Sequence, residues 1–306
     1  MKSKEINTGV IVNFQAGNKR EIKRSLKPIE QSFDDAKVYE IADLEGGNIQ
    51  NIPPKLVIVG GDGTVRASLS WLASHDEYPQ ILIAGSGSTN TFRSALMEEG
   101  AKTSAQAVKK GNLIGIDYKP AVIEHEDGER DFWVIAAGFG EFEKGFPNAF
   151  EGVRRFKIPP QTRAHTAGLM VLVYNFLTAM SSRDPLIQAY TTGQHIGPFK
   201  VFKENELSLS SDKLGLVEID KKGYYWRILR FIISSMFWQT GTRPPKFLAS
   251  TKISESFTTN LKSLDDTSPV NLDGDEKSIQ SGKVSIKRHP FPFPTSALIW
   301  KKNRRF

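Results

Sequence analysis

A buried strand that runs directly into a glycine-rich turn is the feature that most constrains this chain. The apolar run Leu56–Val59 is typical of a strand buried on both faces of a sheet. The turn Gly60–Thr64 (Gly-Gly-Asp-Gly-Thr) follows at once, and apolar residues then recur at helical spacing: Val65, Leu69 and Leu72. Glycines let the main chain approach a ligand closely, and a helix N-terminus offers amides without an intrahelical acceptor. The string therefore predicts a strand–turn–helix unit that binds phosphate.

Asp62 is the charged residue within this turn. A carboxylate among phosphate-binding amides indicates a metal ion or a proton transfer. A tight turn with a surface aspartate is the alternative, and the complete five-residue string favours the ligand site. Because the residue lies in a turn, we expect Asp62→Ala to abolish activity and to leave the fold intact.

The first third of the chain alternates strands and helices. Gly9–Phe14 and Gln80–Ala84 read as strands, and each is followed by a glycine-containing turn. Between them, Ile22, Leu26, Ile29 and Phe33 repeat at helical spacing, and we expect Pro28 to kink or shorten that helix. Such alternation predicts a parallel sheet whose turns meet at the carboxyl ends of the strands and converge on one cleft.

From about residue 114 the pattern changes to strands joined by turns. We expect strands at 132–137, 187–191, 206–210, 216–220, 270–272 and 283–287, and apolar helices at 169–180 and 228–232. The predicted fold is therefore a doubly wound α/β nucleotide-binding domain in residues 1–113, followed by a β-rich, sandwich-like domain in residues 114–306. The last strand could return to the first domain. We expect the active site in the cleft between the two domains.

Composition limits the partners and the compartment. The absence of cysteine excludes disulfides, thiolate metal sites and cysteine nucleophiles. The five histidines show no metal-ligand spacing, so we expect them in loops or on the surface. The first residues lack the apolar core of a signal peptide, and no apolar stretch is long enough to span a bilayer, which predicts a cytoplasmic protein. The net charge of +7 favours an anionic partner: a nucleotide, a nucleic acid or an acidic membrane.

Gly60–Thr64 resembles the signature shared by diacylglycerol kinases, sphingosine kinases, bacterial lipid kinases, NAD kinases and phosphofructokinases. Two more segments resemble lipid-kinase turns: Asn13–Gly17 is similar to Asn-Pro-x-Ser-Gly, and Gly87–Asn90 is similar to Gly-Thr-x-Asn. We expect Ser88 to contact the nucleotide and Asn90 to cap the next helix, although a purely local helix cap is the alternative. The resemblance implies ATP contacts from Asn13, Gly17, Gly60, Gly61, Asp62, Gly63, Thr64, Val65, Arg66, Gly87, Ser88 and Asn90.

The late string Asp273-Gly274-Asp275 resembles the Asp-Gly-Glu of the lipid kinases. In that family the acidic residue after the glycine is taken as the base that accepts the proton of the lipid hydroxyl. The resemblance implies catalytic roles for Asp62, Asp273 and Asp275, with Glu276 as an alternative base. A plain β-turn is the competing interpretation.

The segment Leu209–Leu214 resembles a loop that holds a structural Mg²⁺ in the bacterial lipid kinases. There, the positions of Leu209 and Leu214 contribute main-chain carbonyls and that of Asp212 its carboxylate. Oxygen ligands of this kind suit a hard cation. A solvated turn is the alternative.

Taken together, these segments identify the chain as a member of the diacylglycerol kinase catalytic domain family, of the bacterial lipid kinase type. The resemblance implies a lipid kinase that uses ATP and Mg²⁺, a lipid substrate, and transient contact with the anionic inner face of a membrane. We expect no nucleic-acid partner. An NAD kinase-like phosphotransferase and a catalytically silent homologue that binds lipid or nucleotide are the alternatives.

Overall fold

The computed structural model describes most residues between 7 and 139 and between 250 and 299, and shorter segments between these regions. The described residues are 7–14, 19–33, 35–47, 49, 51–85, 90–139, 186–192, 195–196, 199–200, 207–219, 250–261 and 267–299. The chain divides into two compact units. The first unit spans residues 1–119 and 290–306, and the second unit spans residues 120–289.

The first unit contains a mostly parallel sheet. Its described strands are β1 (Thr8–Val12), β2 (Lys37–Glu40), β3 (Lys55–Val59), β4 (Gln80–Ile83), β5 (Lys102–Ser104), β6 (Ile116–Tyr118) and β19 (Phe293–Ile299). The order is β2-β1-β3-β4-β19-β5, and β6 pairs antiparallel with β19. The last described strand therefore lies between β4 and β5, parallel to both.

Helices and strands in this unit bury a common core. The described helices are α1 (Lys19–Ser32), α2 (Ile41–Glu45), α3 (Asp62–Ser74), α4 (Thr91–Glu98) and α5 (Ala105–Lys109). Apolar residues of α1 and α5 pack against alternate residues of β1, β3 and β4. Ile11 and Ile58 point to the opposite face and are also fully buried. The central strands are thus covered on both faces, as their uninterrupted apolar runs predict.

Pro28 does not end α1, so the expectation of a shortened helix is wrong. The helix continues for four residues beyond it, to Ser32. A proline within a helix removes the bond to the carbonyl four residues earlier, which is the carbonyl of Arg24. Arg24 is exposed, and water can satisfy a carbonyl there. The buried face formed by Ile22, Leu26 and Ile29 stabilises the helix despite this loss.

The register of the sheet places the turns side by side. Val12 lies opposite Val59 in the β1–β3 pair, and Ile58 lies opposite Ile83 in the β3–β4 pair. The residues that follow these three parallel strands, Asn13, Gly60 and Ala84, therefore meet at the carboxyl edge of the sheet. The expectation that this edge collects the turns after β1, β3 and β4 is confirmed for their described residues.

The second unit contains two antiparallel sheets. The six-stranded sheet has the order β14 (Ser250–Ser254), β13 (Leu214–Ile219), β10 (Leu186–Tyr190), β9 (Ala136–Phe139), β16 (Thr267–Leu272) and β17 (Asp275–Gln280). The four-stranded sheet has the order β15 (Ser256–Leu261), β18 (Gly282–Arg288), β7 (Ala121–His125) and β8 (Arg130–Trp133). A short pair, β11 (His195–Ile196) and β12 (Phe199–Lys200), stands apart. Buried residues of both large sheets form one apolar core, as in a β-sandwich.

Several sequence expectations for this unit need correction. The strand expected at 132–137 is two strands, β8 and β9, separated by Val134 and Ile135. The described residues of the segment expected to be a strand at 206–210 form a turn. The helices expected at 169–180 and 228–232 lie outside the described residues. Within the described part of the chain, no helix is long and apolar enough to cross a membrane.

Candidate active site

The turn after β3 is built to bring main-chain amides close to a ligand. Gly61 is the N-cap of α3, and Val65 N donates to Gly61 O at 3.1 Å. The amides of the first helical turn have no acceptor within the helix. A Cβ on Gly60 would lie 2.4 Å from both Cβ and Oγ1 of Thr64, so only glycine fits. The Thr64 hydroxyl is buried and makes no hydrogen bond. These features fit a phosphate cradle at the carboxyl edge of the sheet.

Asp62 ties the first turn of α3 to the start of α4. Its side chain is buried, with 9% of the residue exposed, so it is not the surface residue that the alternative interpretation required. Oδ2 accepts a hydrogen bond from Thr91 N, and Oδ1 accepts one from Phe92 N, each at 3.0 Å. The carboxylate therefore holds two helix N-termini together.

Asn90 does not cap α4 as expected. It occupies the N-cap position with left-handed backbone angles (φ 45°, ψ 40°), and its side chain makes no capping hydrogen bond. The side chain of Asp62, which lies 29 residues before Thr91, serves the first two amides of α4 instead. A sequence pattern cannot reveal this cap, because it comes from another helix.

The other expected nucleotide contacts are only partly described. Asn13 follows β1, and its amide donates to Val59 O at 3.5 Å, which places it beside Gly60. Val65 is 1% exposed, so its side chain belongs to the core and only its main chain could face a ligand. Arg66 follows on α3 and is partly exposed. Gly17, Gly87 and Ser88 lie outside the described residues.

Arg93 is a cation at this edge that the sequence analysis missed. Its Nη2 donates to Leu298 O of β19 at 2.9 Å, while its Nε is buried without a hydrogen-bond partner. Burial lowers the pKa of the Arg93 guanidinium. Its side chain crosses Gly85, where a Cβ would lie 2.5 Å from Arg93 Cδ and where φ is +64°. Arg93 lies in the first turn of α4, where acidic residues are more usual because they stabilise the positive end of the helix dipole. This unusual position is the sequence signal that could have marked Arg93 as a candidate site residue.

In the second unit, Asp273 fixes the late acidic turn. Oδ2 accepts from Val134 N at 2.7 Å, and Oδ1 accepts from Ile135 N at 2.7 Å and Ala136 N at 3.0 Å. Asp273 N donates in return to Ala136 O at 2.9 Å. Its φ of 55° is left-handed, a conformation that aspartate tolerates. This carboxylate holds the turn and also separates β8 from β9.

Asp275 begins β17 directly after this turn. The strand pairs only with β16 in the described sheet, and Asp275 and Glu276 are both exposed. Alternation along a strand places Asp275 on the same face as Ile279, which is buried in the core of the sandwich, and Glu276 on the other face. The two acids therefore cannot replace each other without a change of register.

The loop expected to hold a structural metal is compact. Leu209 and Leu214 are fully buried, and Asp212 is exposed. Ser211 N donates to Ser208 O at 3.1 Å, and Arg288 Nη2 donates to the same oxygen at 3.2 Å. Among the described residues, no three acidic or histidine side chains cluster as metal ligands. A cation in this loop would therefore depend on main-chain carbonyls together with Asp212.

Comparison with known proteins finds one matching family model and several solved structures of similar fold. Residues 7–121 match the model of the diacylglycerol kinase catalytic domain. Among solved structures, the chain resembles a diacylglycerol kinase from Bacillus anthracis str. Sterne (TM-score 0.57, 14% identity, 96% of this chain and 98% of that chain covered). It also resembles two further structures from that strain, each described as a putative diacylglycerol kinase and each with a TM-score of 0.62. The first is 15% identical and covers 96% of this chain and 98% of its own. The second is 16% identical and covers 97% of this chain and 98% of its own.

These likenesses at low sequence identity establish the fold. No curated protein is detectably similar in sequence. The matched region contains β1, β3, α3, β4 and α4, and therefore the turn at Gly60–Thr64. Residues 7–121 are therefore similar to the diacylglycerol kinase catalytic domain.

Proposed function

We propose that this protein is a lipid kinase that transfers the γ-phosphoryl group of ATP to a lipid hydroxyl. The observation that carries the proposal is the start of α3 at the carboxyl edge of the parallel sheet. There Gly60 leaves no room for a side chain, and Asp62 joins the N-termini of α3 and α4. Converging helix N-termini favour a polyanion such as the triphosphate of ATP.

In this proposal, the unit of residues 1–119 and 290–306 binds the nucleotide and the unit of residues 120–289 binds the lipid, so the domain boundary expected at residue 113 moves to 119 and the last strand belongs to the first domain. The main-chain amides around Gly61, Gly63 and Thr64 bind phosphate oxygens, and Asn13 and Arg66 flank them. Gly17, Gly87, Ser88 and Asn90 complete the nucleotide contacts by their resemblance to the family turns.

Mg²⁺ fits the chemistry of the oxygen donors in this chain. In this proposal Asp62 would contribute a carboxylate oxygen to the ion near the triphosphate, and Leu209, Asp212 and Leu214 would contribute two carbonyls and a carboxylate to a structural ion. When bound near the triphosphate, the ion neutralises negative charge.

Asp275 serves as the base in this proposal. It accepts the proton of the lipid hydroxyl while the hydroxyl oxygen forms a bond to the γ-phosphorus. The bond between that phosphorus and the bridging oxygen breaks, and ADP leaves. Asp273 accepts hydrogen bonds from three amides and so holds the turn that precedes Asp275. The main chain at the start of β17 is therefore fixed, and with it the position from which the Asp275 side chain extends.

The test is transfer of label from γ-labelled ATP to a membrane lipid extract, with NAD supplied in a parallel reaction. A labelled lipid phosphate is the expected product. Label in NADP alone would establish the NAD kinase-like alternative. Binding of ATP without transfer to any lipid or to NAD would establish the catalytically silent alternative.

We also propose transient contact with an anionic membrane surface, because the substrate is a lipid and the net charge is +7. Sedimentation with vesicles should show stronger binding to acidic than to neutral lipid, and added salt should weaken it. Equal binding to both vesicle types would contradict this expectation.

A further inference from the structure

A buried carboxylate joins the two sheets of the second unit. Asp131, on β8, is 7% exposed, and each of its oxygens has a partner. Oδ2 lies 3.0 Å from Nε2 of His125 on β7, and Oδ1 forms an ion pair with Lys277 on β17. His125 is itself 9% exposed, which corrects the expectation that the histidines lie in loops or on the surface. The contact with Lys277 links the edge strand of the six-stranded sheet to the edge strand of the four-stranded sheet.

Lys277 is the unusual member of this group. Its side chain is 55% exposed, and an exposed lysine on an edge strand is ordinarily free to sample many rotamers. Here the ammonium is directed back toward a carboxylate that needs a partner, because an unpaired buried charge is costly. The ion pair therefore restricts both the side chain and the strand that carries it.

The restricted strand also carries the proposed base. Asp275 and Lys277 are two residues apart on β17, so their side chains share one face of the strand. On the N-terminal side, Asp275 adjoins the turn that Asp273 and the bond from Gly274 N to Asn271 Oδ1 (2.8 Å) hold in place. On the C-terminal side, Lys277 holds the same face against β8. Asp275 thus lies between two fixed points on a strand whose residues, apart from Ile279, are exposed.

We infer that Lys277, through its ion pair with Asp131, is a positioning residue for Asp275. This inference rests on the proposed function. It assigns to this ion pair a role in catalysis: the orientation of the base toward the lipid hydroxyl. Misplacement of a reacting group by about 1 Å can lower a rate about 100-fold, so a loosened strand is sufficient to impair turnover.

The first test compares Lys277→Gln with Lys252→Gln. Lys252 lies on β14, the opposite edge strand of the same sheet; its side chain is 59% exposed and its Nζ lies 3.9 Å from Glu218. In Lys277→Gln, kcat for lipid phosphorylation should fall about 10- to 100-fold with the KM for ATP unchanged. Lys252→Gln should match the parent, and Lys277→Arg, which keeps the charge, should recover most of the loss.

A double variant shows whether Lys277 acts through Asp275. If it does, Lys277→Gln should cost nothing further when Asp275→Asn is already present, because the group being positioned is gone. Multiplicative losses in the double variant would overturn the inference, as would parental kcat in Lys277→Gln or a raised KM for ATP.

Hydrogen exchange supplies a readout that needs no activity. Amides of residues 275–280 should exchange faster in Lys277→Gln than in the parent and in Lys252→Gln. Unchanged exchange would overturn the inference even where the parent phosphorylates lipid. A parent that transfers no phosphate to lipid would instead overturn the proposed function, so the two failures are distinct.

Discussion

Replacement of Asp62 tests the unexpected structural role of a residue that sequence assigns to catalysis. Its carboxylate accepts bonds from Thr91 N and Phe92 N, the first two amides of α4. Phe92 is fully buried, so water cannot easily replace the lost acceptor there. Asp62→Ala therefore leaves two amides unsatisfied and should weaken the fold, contrary to the expectation that a turn residue can be removed at no structural cost.

The expected magnitude follows from the number of lost bonds. The buried amide of Phe92 costs about 1–3 kcal/mol when it loses its acceptor, and the part-buried amide of Thr91 costs less because water can reach it, so Asp62→Ala should lower the free energy of unfolding by about 1–4 kcal/mol. Asp62→Asn keeps one acceptor oxygen, but its amide nitrogen faces a backbone N–H and the negative charge at the start of α4 is lost. That variant should cost about 1–3 kcal/mol.

The assay combines urea unfolding with hydrogen exchange of the segment 91–98. Asp117→Asn, on the exposed side of β6, is the matched control and should resemble the parent. Faster exchange confined to α4 would locate the damage at the cap. Asp62→Ala with exchange and unfolding free energy equal to those of Asp117→Asn would refute the capping role. ATP-dependent activity should be absent from Asp62→Ala under conditions where it is folded.

Two other expectations concern the turn that contains Asp273 and the turn that contains Gly60. Asp273→Asn should lower the free energy of unfolding by about 1–3 kcal/mol, because one of three amides would face the side-chain NH₂ group; urea unfolding that matches the parent would contradict this. Gly60→Ala should abolish ATP binding and cost about 1–3 kcal/mol, because the new Cβ would lie 2.4 Å from Thr64 and displace the first turn of α3; calorimetry that shows parental affinity for ATP would contradict the cradle.

In the first unit, local patterns predicted β1, β3, β4 and the helices that follow them, but not β2, β5 or β6. The bounds expected from the apolar runs of β1, β3 and β4 agree with the structure to within a few residues. The helical spacing of Val65, Leu69 and Leu72 likewise predicts α3. In the second unit, β14 and β15 were not recognised, because their residues are mostly polar and only partly buried. Their strand character comes from pairing with β13 and β18, which a local pattern does not contain.

The roles that sequence could not predict depend on distant partners. Asp273 lies 139 residues from Val134, yet its carboxylate holds the turn that splits one expected strand into two. Asp62 caps a helix that begins 29 residues later, and Asp131 pairs with Lys277, 146 residues away. The sequence motifs single out Asp62 and Asp273 but not Asp131, and for all three the folded chain determines what the carboxylate oxygens contact.

Asp275 gives the most direct test of the proposed function. A single-turnover measurement follows transfer of the γ-phosphoryl group from ATP to lipid, with ATP affinity measured in parallel. Asp275→Asn should bind ATP like the parent and transfer phosphate about 10²–10⁴-fold more slowly. Asp275→Glu should retain activity, and Glu276→Gln, on the other face of β17, should match the parent. Transfer at the parental rate in Asp275→Asn would contradict the assignment of the base, and loss of transfer in Glu276→Gln instead would move that role to Glu276.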